Sequence, residues 1–357
     1  MYEKSPYNTT KEDAFVATLD PLDLDSPLTK DLPQANTKRD YKKVHDIASN
    51  VAIKKRVRSL SSYDAKAATR DLSMLAGSLI RAGYNVKDFR HIHDALIECS
   101  SITEEVPSDT VYSYGNRNPD GERMRVFTTH PEERIFIDSL KAGMDNIPKA
   151  IYHLSEAQKI GLEDPETAKR IADSATYFAQ MLPGMAEVFR VMSPQFFTNE
   201  LRPFFDPRII GNERYLAAGG AQMPIVLLDH ILWGADNADE MYAKYFEENM
   251  RYQPLALRQE GTSFKGRKSI RKMLEERLDL WPLQGESSLA RDTIKGLQQL
   301  ISTMLRFRKP HLKVAERNMA IRPEGSVGSG GYRTEILSYL LKETEAVQTL
   351  INRFQPQ

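Results

Sequence analysis

The chain has 357 residues, 41% of them hydrophobic and 27% charged, enough to bury a sizeable core in one large domain or two smaller ones. Its 49 lysines and arginines balance 49 aspartates and glutamates, so no global field draws it to nucleic acid or to an anionic membrane. A single cysteine, Cys99, excludes an internal disulfide, and a cysteine-based zinc site would need scattered histidines and carboxylates as its other ligands.

The N-terminal MYEKSPYNTTKED has no apolar h-region, and the longest apolar run, MPIVLLDHILWG (223–234), is too short and too interrupted to span a bilayer. The expectation is a cytoplasmic protein with no membrane span. Residues 1–40, rich in Pro, Asp, Ser and Thr (DPLDLDSPLTKDLPQ), read as an extended arm with little structure of its own, laid over the body. The basic cluster KKRVR (54–58) has no interleaved aromatics and reads as a solvated helix face.

From about residue 40 the periodicity is helical. DAKAATRDLSMLAGSLIRAGY (64–84) carries Ala68, Leu72, Leu75, Leu79 and Ile80 along one stripe and stops near Gly83, which suits a C-cap; a second helix follows at 87–99. The Pro- and Gly-broken stretch 107–131 reads as irregular, with room for a short hairpin. Helix resumes over 132–158. In EDPETAKRIADSATYFAQML (163–182), Asp164 is the N-cap and Pro165 the first helical residue. Amphipathic helices are expected at 268–281, 291–307 and 333–354. With no alternating pattern of useful length, the fold class is all-α, a small helical unit at 41–150 against a larger helical domain at 151–357.

Three segments could carry chemistry. In FRKPHLKVAERNMA (307–320) Pro310 suits the first position of a helix, so that His311 projects from its first turn and shares a face with Val314, Ala315, Asn318 and Met319. A lone histidine on such a face is ordinarily a core residue satisfied by a backbone carbonyl. The alternative is an axial haem ligand, which needs a rigid element and small or apolar neighbours. GSVGSGGY (325–332), with four glycines in eight residues, can bring its backbone close to a ligand, although as a sequence it is first a helix-to-helix linker. Within it Ser329 could bond a small polar ligand.

The third segment runs from SPQFFTNELRPFFDPRIIGNERY into LAAGGAQMPIVLLDHILWG (193–234). Its density of aromatics, prolines and glycines suggests tight packing, with Phe196, Phe197, Phe204 and Phe205 as core. Arg202 is either a buried tie or a bidentate partner for a carboxylate. His230, among bulky neighbours, is the weaker axial candidate, and His91 and His93, two apart on a helix, read as surface residues. There is no HExxH, no GxSxG and no carboxylate cluster at metal spacing.

Two of these blocks together, 305–332 and 193–234, resemble the monodechloroaminopyrrolnitrin synthase family, haem proteins of the indoleamine/tryptophan 2,3-dioxygenase superfamily. LRPF (201–204), the GGAQ tetrad (219–222), and a histidine followed six residues later by Arg317 and then a glycine-rich loop carry the wider resemblance. It is strong over 190–235 and 300–340, traceable through 60–160, and absent from the arm.

The resemblance implies a helical fold holding haem b, with His311 as proximal iron ligand and Val314, Ala315 and Arg317 beside the cofactor. It implies a substrate side lined by Gly328, Ser329, Gly330, Gly331 and Arg202, with Ser329 and Met319 as candidate catalytic positions. The family rearranges a chlorinated tryptophan, whereas the dioxygenases open the indole ring. The expected activity is therefore a haem-dependent oxidoreductase using dioxygen or peroxide on tryptophan or a related, including halogenated, aromatic amino acid in secondary metabolism. The rival is a non-catalytic haem-binding or haem-sensing protein that kept the fold. The family carries a tyrosine where Met319 stands, so substrate and product stay open.

Overall fold

Helical periodicity decides the architecture: the described residues hold fifteen α-helices and one short β-hairpin. The computed structural model describes residues 7, 9–53, 57–219, 222–264, 266–278, 288–322, 327–328 and 331–354. An N-terminal group comprises α1 (Thr9–Thr18), α2 (Leu32–Lys38), α3 (Tyr41–Ser49), α4 (Ser62–Arg81), α5 (Arg90–Thr103) and the single turn α6 (Val111–Tyr114). The body is built on α7 (Pro131–Ile160), α8 (Pro165–Ala179) and α9 (Leu182–Val191). The hairpin β1 (Arg208–Ile210) and β2 (Glu213–Tyr215) follows, with Ile209 opposite Arg214. Then come α10 (Ile225–Asp229), α11 (Glu240–Met250), α12 (Leu255–Ser263), α13 (Ile270–Glu275), the long α14 (Ser288–Ala320) and α15 (Thr334–Asn352). The all-α expectation holds.

The bundle packs α8 between α7 and α14, and α14 against α15. Small residues permit the close approach: a Cβ on Gly296 of α14 would stand 3.2 Å from Ile171 Cγ2 and 3.4 Å from the Ala168 carbonyl, both on α8. The start of α8 is as expected, with the Asp164 carboxylate accepting from the Glu166 amide at 2.8 Å and Pro165 at the first turn. In the N-terminal group, α4 ends at Ala82 and Gly83 follows with φ +85°, a conformation that favours glycine.

Several expectations change in detail. The stretch 107–131 contains α6 and a 3₁₀ turn at Gly121–Arg123, and the hairpin lies at 208–215 instead. The helix expected at 87–99 starts at Arg90, after a 3₁₀ turn at Val86–Asp88. Residue 150, where a boundary was expected, lies within α7, which runs unbroken from Pro131 to Ile160.

The N-terminal arm is the largest departure. It is not extended: α1, a π-helical turn at Pro27–Asp31 and α2 occupy most of it. Its acidic residues, which in sequence look like solvent groups, meet the buried Arg117 and Arg125 and the half-buried Arg123 in the segment between α6 and α7. Asp13 accepts from Arg117 Nε at 2.7 Å, Asp25 from Arg123 Nε at 2.7 Å and also from Arg125, and Arg70 donates to the Leu19 carbonyl at 2.9 Å. Buried charges persist when paired and hydrogen-bonded, which is what holds this polar segment in place.

Candidate functional site

His311 lies inside α14, not at its start. The helix is continuous from Ser288 to Ala320 with Pro310 in its interior, so the expectation that Pro310 opens a helix is corrected. Proline costs the bond to the carbonyl four residues back, that of Arg306. Arg306 and Lys309 are both exposed, so water reaches this side of the helix. Packing of α14 against α8 and α15 then carries the helix through the proline.

The residues expected to share the face of His311 do so. His311, Val314, Ala315, Asn318 and Met319 line one cavity of about 310 Å³, a volume in the range of ligand sites. Burial, and to a lesser degree the charge of Arg308, pull the His311 imidazole down to a pKa of about 4, so it is neutral at neutral pH and free to act as a metal ligand. Phe307, one turn earlier, stacks on its ring with centroids 5.3 Å apart. Phe307 is itself braced edge-on by Phe178 at 6.1 Å.

The opposite wall comes from α7 and α9: Phe136, Ser139, Leu140, Met185, Val188 and Phe189. Nothing in the sequence reading singled these out. A signal was present in LPGMAEVFRV, a helix rich in apolar residues, none of which is buried in the fold. An apolar helix with no buried side chain has a face that the protein itself does not cover. Met181, Met192, Met223 and Met319 add to the same lining, and thioethers adapt to irregular surfaces.

The charged groups of the lining are mostly cationic. Arg202, Arg308, Arg317, Arg322 and Arg333 line the cavity against one carboxylate, Asp229. Arg308 pairs with Asp229, both buried. Arg202, 4% exposed, donates to Asp206 at 2.8 Å and to the Gly328 carbonyl at 3.2 Å, while its Nε has no acceptor among the described residues. Burial pulls its guanidinium below its usual range. Arg322 donates to the Val327 carbonyl at 2.7 Å, so two arginines hold the backbone of the glycine-rich segment at the cavity. Arg317 and Arg333 have no ion-pair partner among the described residues. This donor set suits an anionic ligand with an apolar body.

Of the expected site residues, His311, Val314, Ala315, Arg317, Met319, Arg202 and Gly328 meet at this cavity. Gly331, at φ +79° and packed on Leu216, is not among its lining residues. Ser329 and Gly330 lie outside the described residues, as do Gly220 and Ala221 of the GGAQ tetrad. Gln222, the tetrad's last member, is fully buried; its carbonyl Oε1 accepts from the Val111 amide at 3.0 Å and its Nε2 donates to Ala217 at 2.8 Å, a structural tie.

His230 stacks on Phe246 at 4.0 Å in a π-helical turn and does not line the cavity. His91 and His93 are half-buried, not surface groups: His91 bonds the Ala48 carbonyl at 2.9 Å, and His93 Nε2 accepts from the Gly211 amide at 2.9 Å. Phe196, Phe204 and Phe205 are core, whereas Phe197 faces the cavity.

Fold and site together define an all-α protein with a histidine-bearing, arginine-rimmed apolar cavity at the end of a helical bundle. The sequence profile described as monodechloroaminopyrrolnitrin synthase PrnB matches residues 110–353, more than half of the chain and every residue described above as lining the cavity. The chain belongs to that family.

Proposed function

We propose that this protein is a haem-dependent oxidoreductase acting with dioxygen or peroxide on tryptophan or a related aromatic amino acid, halogenated ones included, in secondary metabolism. The carrying observation is a neutral His311 on a rigid helix, facing an apolar cavity within the family-matched region. The residues fit haem b. His311 would supply the iron ligand, Val314 and Ala315 are small enough for a macrocycle to lie against the helix, and Arg317 would bond its carboxylates. The apolar face of α9, left uncovered by protein, offers a hydrophobic surface on the other side.

Bound haem would supply the iron at which the oxidant is activated. The protein's own contribution is positional. Phe307 fixes the plane of His311, and the backbone at Val327 and Gly328, drawn in by Arg322 and Arg202, narrows the cavity. The aromatic and methionine walls keep water from the reacting ring.

Absorption spectra of protein from haem-supplied cells test this reading, ferric and ferrous with carbon monoxide, with and without L-tryptophan. A Soret band absent from His311→Ala and shifted by tryptophan is the expected result. A haem spectrum indifferent to every aromatic amino acid would leave the non-catalytic haem-binding reading, and no haem would overturn the proposal.

A further inference from the structure

From the cavity a row of oxidisable side chains leads to the surface. Tyr332 and Tyr245 line the cavity, and their rings meet edge to face with centroids 5.1 Å apart. Tyr245 lies 6.5 Å from Tyr242, one turn earlier on α11, and Tyr242 lies 4.5 Å from Trp233 in the π-helical turn His230–Gly234. Trp233 in turn stands 6.1 Å from Tyr339 on α15. Trp233, Tyr242 and Tyr245 are buried and Tyr339 is half-buried. Trp233 and Tyr339 both line a second cleft, of about 490 Å³, so the row joins two cavities.

Aromatic clusters are ordinarily core packing. The ring contacts that leave the cavity's other walls are of that kind, Phe307 leading to Phe178 and Phe136 to Phe197. Phenylalanine resists one-electron oxidation, whereas phenols and indoles give up an electron readily. A phenol sheds its proton as it loses the electron, so it needs a base beside it. Tyr332 donates its hydroxyl hydrogen to the Glu248 carboxylate. Tyr242 Oη lies 3.4 Å from Nδ1 of His230, a ring held neutral and therefore open to a proton. Tyr339, at the cleft, can release its proton to water.

We propose that this row is an electron route between the cavity and the surface, and that the cleft at Trp233 and Tyr339 is where an external one-electron donor is oxidised. This rests on the reading above, in which an oxidant is activated at haem in the cavity. Electrons pass from Tyr339 through Trp233 to Tyr242 and across Tyr245 to Tyr332, and Tyr242 and Tyr332 recover their protons from His230 and Glu248. With a phenol as donor, two phenol molecules and one hydrogen peroxide give two phenoxyl radicals and two waters: the O–O bond breaks, and each phenol supplies one electron and one proton. In the cleft lining Asp236, Glu275 and Glu343 outnumber Arg271 and Lys272, which favours a neutral phenol or arylamine over an anionic donor.

The test treats ferric, haem-loaded protein with hydrogen peroxide and a nitroso spin trap and maps the adducts by peptide mass spectrometry, with oxidation of guaiacol, a neutral phenol, followed in parallel. In wild type an adduct on Tyr339 is expected. In Trp233→Phe and in Tyr242→Phe it should be lost from Tyr339 and appear on Tyr332, while peroxide alters the Soret band as in wild type. Tyr339→Phe should lower guaiacol oxidation with the same Soret response.

A wild type whose Soret band responds to peroxide while Tyr339 stays unlabelled overturns the inference alone, as does a Tyr339 adduct that persists in both interior variants. Undiminished guaiacol oxidation in Tyr339→Phe overturns the donor cleft. Where one interior variant fails to hold haem the other decides, and Tyr339→Phe is read independently of both. A wild-type haem spectrum that peroxide leaves unchanged overturns peroxide as the oxidant and this inference with it.

Discussion

The two halves of α14 are one helix in two environments. Up to Phe307 it is ordinary core: Leu297, Leu300, Ile301 and Met304 are at most 1% exposed, pressed between α8 and α15. From His311 to Ala320 not one residue is buried, although Val314, Ala315 and Met319 are apolar. The same periodicity thus serves two ends. In the first half the stripe is covered by other helices; in the second it faces a cavity, opposite α9, which is likewise apolar and has no buried residue. An amphipathic stripe reports that something will cover it, not that the covering is protein.

The strongest way to break this comparison lies at its junction. Asp229→Ala would leave Arg308 buried without its counter-charge, and a loss of about 3–5 kcal/mol of folding stability is expected in urea titration. Next, Leu300→Ala in the packed half should cost about 2–5 kcal/mol, whereas Met319→Ala in the open half should cost under about 1 kcal/mol in the haem-free protein. Equal costs would mean the halves do not differ.

Adding haem at a hundredfold excess over its dissociation constant should stabilise wild type by about 2.7 kcal/mol and His311→Ala far less, read as a rise in melting temperature.

The most gradual effect is in pH. His311 and His230, both half-buried, are held to about 4 by the hydration their rings lose to surrounding protein, against about 6.5 in an unfolded chain. Between those values the unfolded state binds more protons, so stability rises with pH there and is lost as pH falls from about 6.5 toward about 4. For each histidine the slope approaches about 1.4 kcal/mol per pH unit, and His311→Ala should flatten the haem-free curve in that window.

How much of this was legible in the sequence follows from what sets each feature. Local signals were reliable: Asp164 and Pro165 opening α8, and the shared face of His311, Val314, Ala315 and Met319, need only helical geometry. The start of α14 was misplaced because proline is a statistical helix opener, and no local rule reveals that packing carries a helix through Pro310. The α7–α9 wall was missed because Phe136 and Phe189 look like core residues in sequence, and only tertiary structure separates an apolar residue facing protein from one facing a cavity. The arm was read as extended because Asp13 and Asp25 find their arginines only in three dimensions.

Those ion pairs also bear on the order in which the chain can assemble. Asp13 bonds Arg117 across 104 positions, and Asp25 bonds Arg125 across 100. On a ribosome the arm emerges first, yet the guanidinium groups that neutralise its carboxylates do not exist until translation has passed residue 125. The beginning of the chain therefore docks after its middle has formed, and sites in the arm that a protease can cut should remain sensitive in nascent chains released before that point and become protected beyond it.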